Sequence, residues 1–290
     1  MPPSLPPSLP RSSPQALPRL TDRAALARHR TRAARAPVAF LHDIARADIE
    51  ERLAVVNRRF TAPALFAGLP GPWQGLAGQS PQSDPEILPL AEGAHDLIID
   101  ALCLHWTDDP VGRLIQARRA LAPDGLFLGA LFGGRTLNEL RAALATAEAE
   151  ILGGLSPRIA PMAEIRDLGG LLQRAGFALP VADSLVQTVS YATPLDLMRD
   201  LRGMGETNAL AARSRHFLRR DVLARACQIY AETYATPAGR ITATFEIVTL
   251  TGWAPAAHQP QPLRPGSAVA RLADALGAAE HPLPPDMPGN

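Results

Sequence analysis

The 290-residue chain contains no lysine, so all 29 of its basic residues are arginine. The absence of lysine excludes Schiff-base catalysis and any phosphate-binding loop that needs a lysine ammonium group. Its two cysteines, Cys103 and Cys227, are too few for a disulfide framework or a cysteine-based zinc site. No run of 18 apolar residues occurs, which excludes an ordinary membrane-spanning helix. The formal net charge of +1 lacks the basic excess of a dedicated nucleic-acid-binding protein.

These absences define where we expect the protein to act. The lack of a disulfide framework is compatible with a reducing compartment, and we expect a cytoplasmic protein with at most peripheral membrane contact. We expect no nucleic-acid partner. The 47% of hydrophobic residues is enough for a sizeable core, so the bulk of the chain should fold.

The two ends of the chain have a different composition from the middle. Residues 1–36 are rich in proline and carry seven arginines but one acid, Asp22, which predicts disorder with at most a short helix from Thr21 to Ala34. Such an arginine-rich start also resembles an organelle transit peptide, although the compositional bias of the whole chain explains it better. The proline-rich residues 280–290 should form a flexible tail.

Between these ends, helical and strand patterns alternate. This alternation predicts an α/β fold with a parallel sheet and helices on both of its faces. We place the folded domain at residues 37–279, with a helical cap inserted at about 194–236. Strands are predicted at 95–106, 126–132, 176–183, 186–192 and 241–249, and helices at 41–60, 109–121, 136–151, 167–175, 195–204 and 221–234.

Several sequence blocks in a fixed order resemble one known family. The chain resembles the class I S-adenosylmethionine methyltransferase-like family that includes the complex I assembly arginine hydroxylase of mitochondria and its alphaproteobacterial relatives. The resemblance covers roughly residues 40–277 and implies a Rossmann-like methyltransferase fold. The blocks are DPEILPL (84–90), HDLIIDALCLHWTDDP (95–110), LAPDGLFLGALFGGRTLNELR (121–141), RDLGGLLQRAGFALP (166–180), LRGMGETNAL (201–210) and TFEIVTLTGWAP (244–255).

The resemblance implies S-adenosylmethionine as cofactor, held by a glycine-rich loop after the first strand and by an acid after the second. Only 23 residues, 61–83, are available for this part, whereas a strand–helix–strand unit needs about 30. The segment has four glycines but no G-x-G motif, no acid and no apolar strand of normal length. We therefore expect a sheet truncated in its first strands and an impaired cofactor site.

The second half of the implied cofactor site is still present. Asp84 matches the acidic position that caps the adenine amino group in methyltransferases, and the resemblance assigns Leu88 and Leu104 to the same site. A carboxylate suits that role because it accepts hydrogen bonds from an exocyclic N–H group. The alternative is an ordinary capping aspartate on a surface loop.

The candidate catalytic residues come from two blocks. His105 and Trp106 close the predicted central strand at its carboxyl end, where open α/β sheets bind ligands. Glu206 and Asn208 lie in a loop between two helices that would cover this cleft. The alternatives are core packing for His105 and Trp106, and helix termination for the loop. Non-haem iron would need a second histidine nearby, but His95 lies at the other end of the strand, so the sequence predicts no metal site.

Three functional interpretations remain open. The first is an S-adenosylmethionine-dependent transferase or, by resemblance, an arginine hydroxylase acting on a subunit of respiratory complex I. The second is a non-catalytic assembly or scaffold protein for that complex, which has kept the substrate side and lost the cofactor side. The third is a coding sequence that has lost an internal segment.

Overall fold

A computed structural model describes residues 19–260, and this part of the chain contains seven helices and five strands. Residues 19–255 belong to one compact unit. The described residues that follow, 256–260, contain a turn in which the Gln259 N–H bonds to the Ala256 carbonyl. The helices are α1 (Arg23–Ala33), α2 (Phe40–Val56), α3 (Pro110–Ala120), α4 (Asn138–Leu152), α5 (Ile165–Arg174), α6 (Pro194–Met204) and α7 (Arg220–Tyr234); the strands are β1 (Pro63–Ala67), β2 (His95–Ala101), β3 (Leu121–Phe132), β4 (Ala178–Tyr191) and β5 (Ile241–Trp253).

The strands form a single sheet in the order β1-β2-β3-β5-β4. β1, β2 and β3 run parallel, whereas β5 is antiparallel to both of its neighbours. The predicted α/β fold is confirmed, but the parallel arrangement holds for the first three strands only. The strands predicted at 176–183 and 186–192 are one continuous strand, β4, which pairs along β5. The carboxyl ends of the parallel strands meet at one edge of the sheet, where β1, β2 and β3 align at Ala67, Ala101 and Ala130.

The short segment after α2 forms a strand that the sequence pattern did not reveal. β1 has five residues, four of them buried, and pairs in register with β2. The Asp96 carboxylate fixes its start by accepting the N–H groups of Thr61 and Ala62, at 2.6 and 2.9 Å. On the outer edge of β1, the isolated bridge between Phe66 and Gln82 is the only pairing formed by residues 19–260. The sheet is therefore truncated beyond β1, as expected, and the five-residue β1 is the strand that residues 61–83 contribute.

Helices cover both faces of the sheet because neighbouring strand residues point in opposite directions. In β2, Leu97 and Ile99 pack with α2, α4, α6 and α7 in one hydrophobic cluster. Ile98, between them, packs with α3 and α5 in a second cluster on the opposite face. The strand therefore reads as a continuous apolar run, as expected for a buried parallel strand.

The disorder predicted for residues 1–36 does not extend to residues 19–36. α1 begins after Asp22, whose carboxylate accepts the N–H of Ala25, and Ala25 and Leu26 are buried. The preceding segment forms an isolated β-bridge between Thr21 and Leu210. Residues 1–18 and the tail predicted at 280–290 lie outside the described residues. No helix between residues 19 and 260 has the length and apolar character needed to cross a membrane.

Candidate functional site

His105 and Trp106 lie just beyond β2 rather than within it. β2 ends at Ala101, Leu102 adopts a left-handed φ of 54°, and a short 3-10 turn spans Leu104–Trp106. The strand predicted to reach Trp106 is therefore shorter, because a left-handed residue turns the chain out of the sheet. Both side chains are buried at the carboxyl edge of the parallel strands, the edge at which open α/β sheets bind ligands.

Glu206 meets these two residues from the loop after α6. Gly205, with φ of 81°, closes the helix and directs the chain back toward the sheet. The Oε2 atom of Glu206 lies 3.1 Å from His105 Nε2 and accepts the Trp106 Nε1–H at 2.7 Å. The fold thus brings together three of the four residues predicted to be catalytic, although their catalytic roles stay predictions.

The Glu206 carboxyl is ionised at neutral pH. Burial alone would raise its pKa, but its contact with His105, the charge of Arg30 and the indole N–H of Trp106 together hold the pKa below its ordinary value. The neighbouring Cys103 behaves differently, because burial raises the pKa of its thiol well above the usual range. Cys103 is therefore a protonated core residue and no nucleophile.

A cavity of about 260 Å³ lies beside Trp106 and Glu206. Of its two arginines, Arg158 is paired with the buried Glu148, its Nε lying 2.9 Å from Oε1, and Arg202 is exposed. Glu206 is thus the acidic group of a largely apolar wall. The apolar residues of that wall are Phe132, Leu137, Leu140, Leu144, Ile159, Ala160, Met162, Met198, Leu201, Leu218 and Phe245.

Asn208 also lines the cavity, but its amide is engaged in shaping the loop. Its Nδ2 donates to the Pro157 carbonyl at 2.9 Å, and its Oδ1 accepts the Leu210 N–H at 3.0 Å. Asn208 therefore differs from Glu206, which turns toward His105 and Trp106. Its predicted catalytic role stays a prediction.

Asp84 is buried in a cluster of charges at the ends of β1 and β2. Its Oδ2 lies 2.8 Å from Arg30 Nη1 and 3.3 Å from Arg23 Nη2, and its Oδ1 lies 3.2 Å from Arg113 Nη2. Arg113 also contacts the buried Asp100, at 2.8 Å. Asp84 and Arg113 have side chains that are 1% and 2% exposed. The alternative of a capping aspartate on a surface loop is therefore wrong.

The side chain of Arg30 fills the space against the loop that follows β1. A Cβ atom added at Gly68 would overlap the Arg30 guanidinium, and one at Gly205 would lie 3.2 Å from Arg30 Cγ. Arg30 thus passes between the two glycines, one beside Asp84 and the other beside Glu206. The helix α1 thus places a cation beside Asp84, and a cavity of about 400 Å³ remains between α1 and the loop that follows β1.

Leu88 and Leu104 lie in the second hydrophobic cluster, together with Leu114 and Ala117 of α3. Both are almost fully buried. The backbone N–H of Leu88 donates to Gln116 Oε1 at 2.8 Å, which fixes the loop after Asp84 to α3. Their contacts are those of core residues, and their assignment to a cofactor site stays a prediction.

The turn before α4 is built differently from the capping box indicated by Thr136 and Glu139. The Thr136 hydroxyl bonds across the sheet edge to the backbone of Glu246, at 3.1 and 3.0 Å, and α4 begins two residues later, at Asn138. The Glu246 carboxylate accepts the Arg135 N–H at 2.9 Å and the Ser184 hydroxyl at 2.8 Å. The Thr136 and Glu139 side chains have the spacing of a capping box but do not form one, because β5 supplies partners for both of them and Glu139 bonds to Thr244.

Comparisons with known proteins identify the family. A family profile described as "Methyltransferase domain" matches residues 71–129. The "Arginine-hydroxylase NDUFAF5, mitochondrial" of Danio rerio is 39% identical over 241 residues, which are 82% of this chain and 75% of the relative. The chain belongs to this family. The Homo sapiens member is 41% identical over 203 residues, 70% of this chain and 58% of the relative.

More distant relatives carry the name of a methyltransferase. The "Malonyl-[acyl-carrier protein] O-methyltransferase" of Halorhodospira halophila is 35% identical over 171 residues, 59% of this chain and 56% of its own. Among solved structures, a putative methyltransferase of Bacillus halodurans is 13% identical, covers 62% of this chain and 79% of its own, and has a TM-score of 0.40, too low to carry an argument. The class I methyltransferase-like family predicted from the sequence blocks is confirmed. The chain spans little more than half the length of the human family member.

Proposed function

We propose that the protein is an assembly factor of respiratory complex I that retains the methyltransferase fold but does not use S-adenosylmethionine as a methyl donor. The observation that carries this proposal is the position of Arg30, whose guanidinium lies against Gly68 and pairs with Asp84 at 2.8 Å. Its partner would be a protein, a subunit of complex I, in line with the arginine-hydroxylase name of the relatives.

The residues present do not fit the cofactor. The methionine end needs backbone N–H groups of a glycine-rich loop, but Gly68 is covered by Arg30 and is followed closely by Pro70, which has no N–H. The ribose hydroxyls need an acid on a second strand, and between residues 61 and 83 the sequence has none. Asp84 is occupied by three arginines. We therefore derive no methyl-transfer step.

The charges around Asp84 already balance without a ligand. Three arginines, Arg23, Arg30 and Arg113, face three carboxylates, Asp84, Glu86 and Asp100. A ligand that took Asp84 as its own partner would have to break these buried ion pairs, and an unpaired buried charge costs several kcal/mol. These ion pairs hold α1 against the loop after β1, beside the cavity of about 400 Å³ that Arg30, Gly68 and Asp84 help to line.

A second candidate is a protein-arginine hydroxylase. It is favoured by the names of the relatives and by the buried cluster of His105, Trp106 and Glu206, which lies at the ligand-binding edge of the sheet. The described residues hold no group that would supply an oxidant, so we derive no hydroxylation step. Under both candidates we propose action in the cytoplasm, with peripheral contact to a membrane complex.

Calorimetric titration with S-adenosylmethionine up to millimolar concentration tests the proposal. We expect no saturable binding to the wild-type protein or to Arg30→Ala, because the residues for the ribose are missing as well. A micromolar dissociation constant that is abolished by Asp84→Ala would overturn the proposal. Binding gained only by Arg30→Ala would show a blocked site rather than a lost one, and would also contradict it.

The partner is tested by affinity purification from the native cell. We expect a complex I subunit to be recovered with the wild-type protein. Recovery of ribosomal or tRNA-modifying proteins alone would contradict the assembly role and favour a methylating enzyme.

A further inference from the structure

We infer that two copies of this chain associate through the outer edge of β4, so that their two sheets join into one. β4 is the last strand of the sheet, and its outer edge pairs with no strand among residues 19–260. Eleven consecutive residues, Val181–Tyr191, are in register with β5, so the free edge is long and regular. The inference does not depend on the function proposed above.

The two edges of the sheet are protected to different degrees. β1 has five residues, and the bridge between Phe66 and Gln82 covers its outer edge. β4 has 14 residues, and its proline, Pro180, and its register shift both lie at its start, before Val181. Soluble proteins usually protect a free edge by charges, prolines, bulges or a short strand, because an unprotected edge pairs with another chain. The edge that follows Pro180 has little of this protection.

The side chains exposed along this edge are mostly uncharged. Val181, Leu185 and Val186 are 47%, 48% and 37% exposed. The only charged residue between positions 181 and 191 is Asp183, whose carboxylate lies 2.7 Å from Arg52 Nη1 of the same chain. An approaching strand therefore meets apolar side chains and an acid that already has its counter-charge.

The two ends of the free edge limit the pairing to nine residues, 181–189. Before them, Pro180 has no N–H to donate and lies within the register shift. After them, the Ser190 carbonyl already accepts a hydrogen bond from Arg240 Nη2 at 2.9 Å. The middle residue of this window is Leu185.

A two-fold axis at Leu185 makes this edge complementary to itself, which is why the partner is a second copy. An axis perpendicular to the sheet pairs the two β4 strands antiparallel, and directly opposite residues then point to the same face. Leu185 lies opposite its own copy, and Val181 lies opposite Val189. Asp183 lies opposite Gln187, whose amide can donate to the carboxylate. An axis one residue earlier would place Asp183 opposite Leu185, and an axis two residues earlier would bring two Asp183 side chains together.

Sedimentation-velocity ultracentrifugation of the full-length protein over a range of micromolar concentrations tests the inference. We expect the wild-type protein to form a dimer. Leu185→Arg should raise the dissociation constant of the dimer at least about tenfold, because it removes an apolar pair and places two like charges directly opposite each other. A wild-type protein that stays monomeric throughout, or that forms an assembly other than a dimer, would overturn the inference.

Phe217→Arg is the matched control. Phe217 is fully exposed and lies in the loop before α7, outside the sheet, so this variant also replaces an exposed apolar side chain by an arginine. It should leave the dissociation constant unchanged. Equal weakening by the two variants, weakening by Phe217→Arg alone, or no effect of either would mean that another surface forms the dimer. Far-ultraviolet circular dichroism confirms that each variant is folded.

Single cysteines test the register of the two strands. Leu185→Cys places two thiols opposite each other across the two-fold axis, so oxidation with diamide should link two copies by a disulfide. Val181→Cys is the control, because its two thiols would lie about 27 Å apart at about 3.4 Å per residue and should not link. The wild-type protein, with Cys103 buried and Cys227 half-buried, gives the background. Linking of Val181→Cys as readily as Leu185→Cys, or of neither above the background, would contradict the inferred pairing.

Discussion

Two buried carboxylates at the same edge of the sheet have different surroundings. Asp84 is surrounded by Arg23, Arg30 and Arg113, all from the chain itself. Glu206 is held through one oxygen by Trp106 and faces an apolar cavity. Burial of an acid therefore does not by itself indicate a ligand site. What distinguishes the two is how many of their oxygens the described chain engages: both oxygens of Asp84 face arginines, whereas only Oε2 of Glu206 has a partner within residues 19–260.

The largest loss of stability is expected when the charge of Asp84 is removed. We expect Asp84→Asn to lower the free energy of unfolding by about 3 kcal/mol, because Arg30 and Arg113 would remain charged in a buried place without their partner. Urea denaturation at pH 7 measures it. Glu50→Gln, in an exposed pair with Arg46 at 2.8 Å, is the control and should change stability by less than about 1 kcal/mol. A similar small loss for Asp84→Asn would mean that the cluster is not structural.

The stability of the protein should also depend on pH through His42, a buried histidine of α2. Burial lowers the pKa of His42 from 6.5 to about 4, and its Nδ1 accepts the Trp73 Nε1–H at 3.0 Å. The unfolded chain therefore takes up a proton between pH 6.5 and 4 that the folded chain does not, so stability is complete above this window and falls as pH falls through it. The expected loss is about 2 kcal/mol between pH 7 and pH 5.

Urea denaturation at pH 7, 6 and 5 measures this loss. The variant His42→Leu has no proton to gain at this position, so its stability should depend less steeply on pH over the same interval. Identical pH profiles of the two proteins would show that groups other than His42 cause the loss of stability.

The smallest of the three losses of stability is expected when the charge of Glu206 is removed. Glu206→Gln should lower the free energy of unfolding by about 1 kcal/mol, because the amide oxygen still accepts the Trp106 N–H and no arginine depends on Glu206 for an ion pair. The same denaturation experiment applies. A loss as large as that of Asp84→Asn would erase the distinction between the two acids and make Glu206 a structural residue.

The sequence predicted most elements because their patterns are local. The apolar run of β2, the amphipathic α4 and the helices α6 and α7 follow from periodicity and turn residues within each segment. The meeting of His105, Trp106 and Glu206 was predictable from the rule that ligand residues gather at the carboxyl edge of parallel strands. The family itself is confirmed by the comparisons.

What the sequence did not predict depends on distant partners. α1 carries an arginine-rich surface and few apolar residues, so nothing local indicates that Arg30 is buried against Gly68. β1 has five residues between prolines, too few for a clear period. Thr136 and Glu139 matched a capping box, but β5 offered them partners that no local pattern reveals.

The segment between the end of β1 and Gln82 is suited to the insertion of additional residues. The Ala67 N–H bonds to the Gln82 carbonyl at 3.0 Å and the Gln82 N–H bonds to the Leu65 carbonyl at 2.8 Å, so both ends of the intervening stretch are anchored side by side. The entropy of closing a loop grows only with the logarithm of its length. A longer segment in place of residues 68–81 would therefore add little entropic cost, while Gln82 continues to cover the outer edge of β1 at Leu65 and Ala67.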